Sequence, residues 1–104
     1  MPEPRQRRIL GPATRPVLPR HVRLRHDAHR GAWLLLAPER VLAPDPIAVE
    51  VLELCDGARS LTDIAEILAR RYAAPASQIA ADVTAMLQDL SDKGFLAEMQ
   101  EERP

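Results

Sequence analysis

The chain has 104 residues, 46% hydrophobic and 28% charged, with a formal net charge of −1. That is the length of one domain with a modest core. A single cysteine, Cys55, excludes an internal disulfide framework and every multi-cysteine zinc motif. No apolar run approaches the roughly 18 residues that span a bilayer, and the start, MPEPRQRR, lacks the apolar stretch of a secretory signal. The expected compartment is therefore the cytoplasm. The near-zero charge hides an asymmetry. Residues 1–30 carry eight arginines against Glu3 and Asp27, whereas residues 31–104 carry thirteen Asp/Glu against six Lys/Arg. The two halves are suited to different partners.

Residues 1–15 are rich in proline and arginine and have no apolar period, which predicts a flexible tail or linker. HVRLRH, residues 21–26, alternates Val22 and Leu24 with Arg23 and Arg25, the period of a half-buried strand. After turn residues at 27–31, AWLLL (32–36) is apolar throughout, as in a middle strand. Pro38-Glu39 forms a second turn, and Arg40–Ala43 makes a short third strand at the edge of the meander.

At Asp45-Pro46 the period becomes helical, with an acidic cap and a proline at the first position. Ile47, Val51, Leu54 and Cys55 form the apolar stripe of the first helix, ending near Asp56-Gly57. The second helix opens at Ser60 with Asp63 in a capping-box relation and buries Leu61, Ile64, Ala65, Leu68 and Tyr72. Pro75 breaks the chain. A third helix begins near Ser77 and presents Ile79, Val83, Met86, Leu87 and Leu90, with Gly94 ending it and Phe95 and Leu96 returning to the core. The expected fold is α+β and winged-helix-like: a three-stranded antiparallel sheet followed by a three-helix bundle over residues 16–97. Residues 98–104 are expected to form a disordered tail.

No residue pattern points to catalysis. The four glycines stand alone, so there is no phosphate loop. Cys55 has no histidine near it and reads as a small buried hydrophobe. His21, His26 and His29 lack the further donors that a metal site needs, so they read as solvated polar residues. No cofactor is implied.

A winged-helix DNA binder is the main alternative. A reading helix should carry Lys and Arg, yet residues 77–93 hold Asp82, Asp89 and Asp92 against Lys93 alone. A polypeptide partner fits better. The edge strand Arg40, Val41, Leu42, Ala43 leaves backbone groups free for an added strand. The third helix would form the opposite wall, with Met86 as an adaptable side chain, while Val83 and Leu87 read as core. Four or five new backbone bonds at about 0.5–1.5 kcal/mol each, with two apolar pockets, would reach about micromolar affinity or better.

The run LLLAPERVLAPDPIAVEVLELCDGARSLTDIAEILARRY, followed by IAADVTAMLQDLSDKGFL, resembles the PqqD family of pyrroloquinoline quinone biosynthesis. The telling elements are Pro38-Glu39, Asp56-Gly57, Asp63-Ile64, Asp82-Val83 and Gly94-Phe95-Leu96, in that order. The resemblance implies a non-catalytic peptide chaperone, similar to the recognition domains of modified-peptide pathways. It implies that the precursor peptide PqqA binds as an extra strand and is presented to the radical S-adenosylmethionine enzyme PqqE. The implied contacts are Arg40, Val41, Leu42 and Ala43, with Met86, Asp89, Leu90 and Lys93 opposite. Asp89 and Lys93 are also one turn apart and able to pair with each other. The leader of another modified-peptide pathway is an alternative ligand, and the basic N-terminal tail falls outside the family pattern.

Overall fold

A computed structural model describes residues 9–98. Its elements are β1 (Pro16–Val17), β2 (Arg23–Asp27), β3 (Ala32–Ala37), β4 (Arg40–Leu42), α1 (Pro46–Glu53), α2 (Leu61–Tyr72), α3 (Ala76–Asp92) and β5 (Ala97–Glu98). The class is α+β, as expected: an antiparallel sheet in the order β2-β3-β4, followed by three helices.

Short-range chemistry explains most boundaries. Asp27 Oδ1 accepts the backbone N–H of His29 at 3.0 Å, an aspartate turn that reverses the chain into β3. The next reversal has only two residues, Pro38 and Glu39, between the paired Ala37 and Arg40. Glu39 takes a φ of +64°, the left-handed sign that a type II turn demands at its third position. Asp45 caps α1 by accepting the Ala48 N–H at 2.8 Å, with proline at the first helical position. At α2 the capping box is complete: Ser60 Oγ accepts from Asp63 N–H and Asp63 Oδ2 accepts from Ser60 N–H, both at 3.0 Å. The end of α3 is a Schellman turn. Phe95 N–H donates to Leu90 O at 2.9 Å and Gly94 N–H to Ser91 O at 3.1 Å, with Gly94 at φ +85°. That reversal drops Phe95 and Leu96 into the core.

Leu35 on β3 pairs with Leu24 and Leu42 on its two sides, forming an apolar row that faces the helices. Leu52 of α1, Ile64 and Leu68 of α2, Val83 and Leu87 of α3, and Phe95 close the core over that row. Among the described residues no polar or charged side chain is buried. Val83 and Leu87 are core, as their spacing predicts.

Three features depart from the sequence-based expectations. First, residues 9–15, expected to belong to a flexible arm, run along the body of the domain. Leu10 is buried, its N–H donates to Gln88 Oε1 on α3, and the carbonyls of Pro12 and Thr14 accept from Thr62 and Leu61 at the start of α2. The free N–H groups at a helix N-terminus attract such a chain, and this leaves no periodic trace in sequence. The rest of the expected arm, residues 1–8, lies outside the described residues. Second, β1 pairs with β5 through Pro16↔Glu98 and Val17↔Ala97, so Glu98 belongs to a small second sheet rather than to a tail. Residues 99–104 lie outside the described residues. Third, Ile47 and Tyr72, both assigned to inward stripes, are 60% and 48% exposed. Ile47 sits in the first turn of α1 and Tyr72 in the last turn of α2, where the sheet does not cover them.

Candidate functional site

The edge strand β4 positions the site. Its one neighbour in the sheet is β3; among the described residues no strand lies on its other side. In an antiparallel ladder the pairs alternate between hydrogen-bonded and non-hydrogen-bonded. The pair that closes a two-residue hairpin is hydrogen-bonded, so in this register Ala37↔Arg40 and Leu35↔Leu42 are the hydrogen-bonded pairs and Leu36↔Val41 is the non-hydrogen-bonded one. Val41 therefore directs its N–H and C=O away from β3, to the open edge. Its side chain lies on the outer face of the sheet, 59% exposed.

Across from this edge runs α3, and a cleft of ≈300 Å³ lies between them. Leu42, Ala43, Met86, Asp89 and Leu90 all line it. Arg40, Val41 and Lys93, also predicted as site residues, do not. Arg40 instead ties the end of β4 to the end of α3. Its guanidinium donates to the Lys93 carbonyl and sits 4.8 Å over the centroid of the Phe95 ring. Lys93 Nζ pairs with Asp89 at 3.0 Å, one turn back, an exposed pair of small energetic weight.

Sequence reading missed the third wall. Pro44, Asp45, Ala48 and Leu52, from the entry to α1, close the cleft, with Leu35 at its floor. The small Ala48 one turn before Leu52 leaves room beside β4; that spacing was visible in sequence but reads equally as ordinary helix. The cleft is apolar within and acidic where it meets solvent, at Asp45 and Asp89. Among the described residues no group of three or more His, Cys, Asp or Glu is arranged to hold a metal ion. His26 stacks edge-on against Trp33, 5.2 Å between centroids.

Cys55 is buried, with Sγ donating to the Val51 carbonyl at 3.3 Å. Burial, reinforced by the neighbouring Asp56 charge, pushes its thiol up to about 12, which suits packing and not nucleophilic chemistry. Asp56 organises the loop from α1 to α2. Its carboxylate accepts the N–H groups of Ala58 and Arg59 at 2.9 and 3.0 Å and pairs with the Arg59 guanidinium at 2.8 Å. Gly57, at φ +81°, then donates its N–H to Pro16 O, which ties the loop to β1.

The family model "Coenzyme PQQ synthesis protein D (PqqD)" matches residues 32–96, the stretch that holds β3, the edge strand β4, all three helices and Phe95. The chain belongs to the PqqD family. A PqqA binding protein of Bradyrhizobium diazoefficiens is 63% identical over 89 residues, 86% of each chain. One of Rhodopseudomonas palustris is 62% identical over 91 residues, covering 88% of this chain and 89% of that one. Among solved structures, the PqqD part of Methylobacterium extorquens PqqCD superposes with a TM-score of 0.73 at 43% identity, over 85% of this chain and 94% of that one. That protein is described as a functional, stand-alone recognition element for ribosomally synthesized, post-translationally modified peptides. PqqD from Xanthomonas campestris superposes with a TM-score of 0.54 at 44% identity, over 78% and 90% of the two chains. The cleft residues from Leu35 to Leu90 all fall within the PqqD match.

Proposed function

We propose that this protein is a peptide chaperone: it binds the precursor peptide PqqA as an added strand on β4 and presents it to the radical S-adenosylmethionine enzyme PqqE, without performing chemistry itself. The observation that carries this reading is the open edge of β4 standing over an apolar cleft walled by α3 and α1. An extended peptide satisfies the outward N–H and C=O of Val41 and sets alternate side chains into the cleft beside Leu42 and Met86. The relatives named as PqqA binding proteins support PqqA as the ligand over another leader peptide.

The charge pattern disfavours nucleic acid. The segment Ala76–Asp92 that forms α3 contains Asp82, Asp89 and Asp92 and no lysine or arginine, so a polyanion would be repelled from the helix that a winged-helix reader inserts. An unpaired peptide edge and an acidic rim instead suit a peptide with neutral or basic side chains there.

The test is a titration of isotopically labelled protein with synthetic PqqA. Amide shifts at Val41, Ala43 and the Met86–Leu90 side of α3 are expected to saturate together, and shifts confined to α2 would refute the cleft. Pull-down of PqqE by the peptide-loaded protein, weaker without peptide, tests the presentation step.

A further inference from the structure

Ile47 and Tyr72 are large apolar side chains left largely exposed, and both line a second cavity of ≈190 Å³. Val51, Leu68, Ile79 and Met86 supply most of its remaining wall, and Asp82 is its one charged lining residue. Tyr72 is held in place: its hydroxyl donates to Glu50 of α1, which also pairs with Arg71 at 2.9 Å. The cavity therefore has a braced wall rather than a loose one.

This space continues the β4 cleft. Met86 lines both, and α1 turns Ala48 and Leu52 to the cleft and Ile47 and Val51 to the cavity. Along α3 the cleft draws on Met86, Asp89 and Leu90, and the cavity on Ile79, Asp82, Val83 and Met86. Those sets are centred about six residues apart, or about 9 Å at the rise of an α-helix. An extended chain covers that distance in about two to three residues. The volume is below the roughly 300 Å³ at which small-molecule pockets begin, and is of a size to take one side chain.

We propose that this cavity seats a single apolar side chain of the same extended peptide, two or three residues beyond the segment that pairs with β4, with neutral or basic neighbours facing Asp82. The inference rests on the peptide-binding reading above and makes Ile47, Tyr72 and Ile79 specificity-determining residues. It also accounts for the exposure of Ile47 and Tyr72.

The experiment measures the Kd of synthetic PqqA for the wild type, Ile47→Asp, Ile47→Ala and Val41→Pro, and follows amide shifts in each. Ile47 is exposed, so its replacement leaves the core intact. Ile47→Asp is expected to raise Kd about ten- to a hundredfold, as for loss of one buried apolar side chain, and Ile47→Ala by less. The shifts at Val41 and Ala43 should persist at saturation. Within the peptide, one apolar residue flanking the paired segment should show the same loss when changed to Asp, and no further loss in Ile47→Asp. If Ile47→Asp binds like wild type while Val41→Pro binds weakly, the cavity proposal is overturned and the cleft stands. If the wild type shows no shifts at Val41 and Ala43, both are overturned. Self-association that Ile47→Asp abolishes, with peptide affinity unaltered, would assign the cavity to a second copy and overturn the proposal.

Discussion

Arg40 lies over Phe95, its guanidinium carbon 4.8 Å from the ring centroid, while the same group donates to the Lys93 carbonyl. Phe95 is buried in the core and Arg40 stands at the surface, so the contact fastens the first residue of the edge strand to the far end of α3. One wall of the cleft is thereby held at a set distance from the other. Replacing Arg40 by alanine removes the cation–π contact and the bond to the helix end, at a cost of about 1–2 kcal/mol. Urea unfolding should show that loss, and peptide affinity should fall although Arg40 does not line the cleft. An unchanged midpoint together with unchanged affinity would mean that the contact does not organise the cleft.

Val41→Pro tests the open edge directly. The register turns the Val41 N–H outward, so proline there deletes the donor that the proposed added strand would use and leaves the β3–β4 ladder in place. Peptide Kd should rise about two- to tenfold for one backbone hydrogen bond, with little change in thermal stability. Leu42→Pro would instead break a β3–β4 bond and unsettle the core, so equal binding losses from the two, at equal stability, would contradict the register.

Asp56 gives the loop before α2 a pH dependence of known sign. Two backbone N–H donors, from Ala58 and then Arg59, hold its carboxyl below the ordinary value of 3.8, aided by the Arg59 charge. The folded state thus binds this proton less readily than the unfolded chain. The contribution to stability is fully present above the unfolded value and is lost as pH falls through the folded one. Asp56→Asn should therefore be less stable than wild type at pH 7, and the gap should close toward pH 2 in urea titrations. A gap that persists at low pH would show that the aspartate acts through shape alone.

Cys55 should be silent in the native protein. With the thiol raised to about 12, essentially no thiolate is present at pH 8, and the side chain is buried. Alkylation monitored by mass spectrometry should be slow under native conditions and fast in denaturant. Rapid native labelling would indicate that the α1–α2 loop opens readily.

Much of the fold around the candidate site was legible in sequence because its boundaries are made by local chemistry. Pro38-Glu39, Asp45-Pro46, Ser60 with Asp63, and Gly94 each act on neighbours within a few residues, and each sits where its chemistry predicts. The edge strand and the apolar faces of α2 and α3 follow from periods of two and of about 3.6. The exposed Ile47 and Tyr72 show the limit of that method: periodicity assigns a face to a side chain, but burial depends on whether another element covers that face.

Sequence alone thus determined the order of the three strands β2 to β4 and the three helices, the caps that open α1 and α2, and the turn that ends α3. It also determined the α+β class and an acidic third helix beside an edge strand, whereas α1 ends at Glu53, short of the expected Asp56-Gly57. Tertiary structure decided which residues meet across long separations: Arg40 with Lys93 and Phe95, Leu10 with Gln88, β1 with β5, and α1 as the cleft's third wall. The physical reason is range. A cap or turn is an interaction between near neighbours and leaves a pattern in the chain, whereas a contact between residues some fifty or more positions apart is set by how finished elements pack and has no period to read.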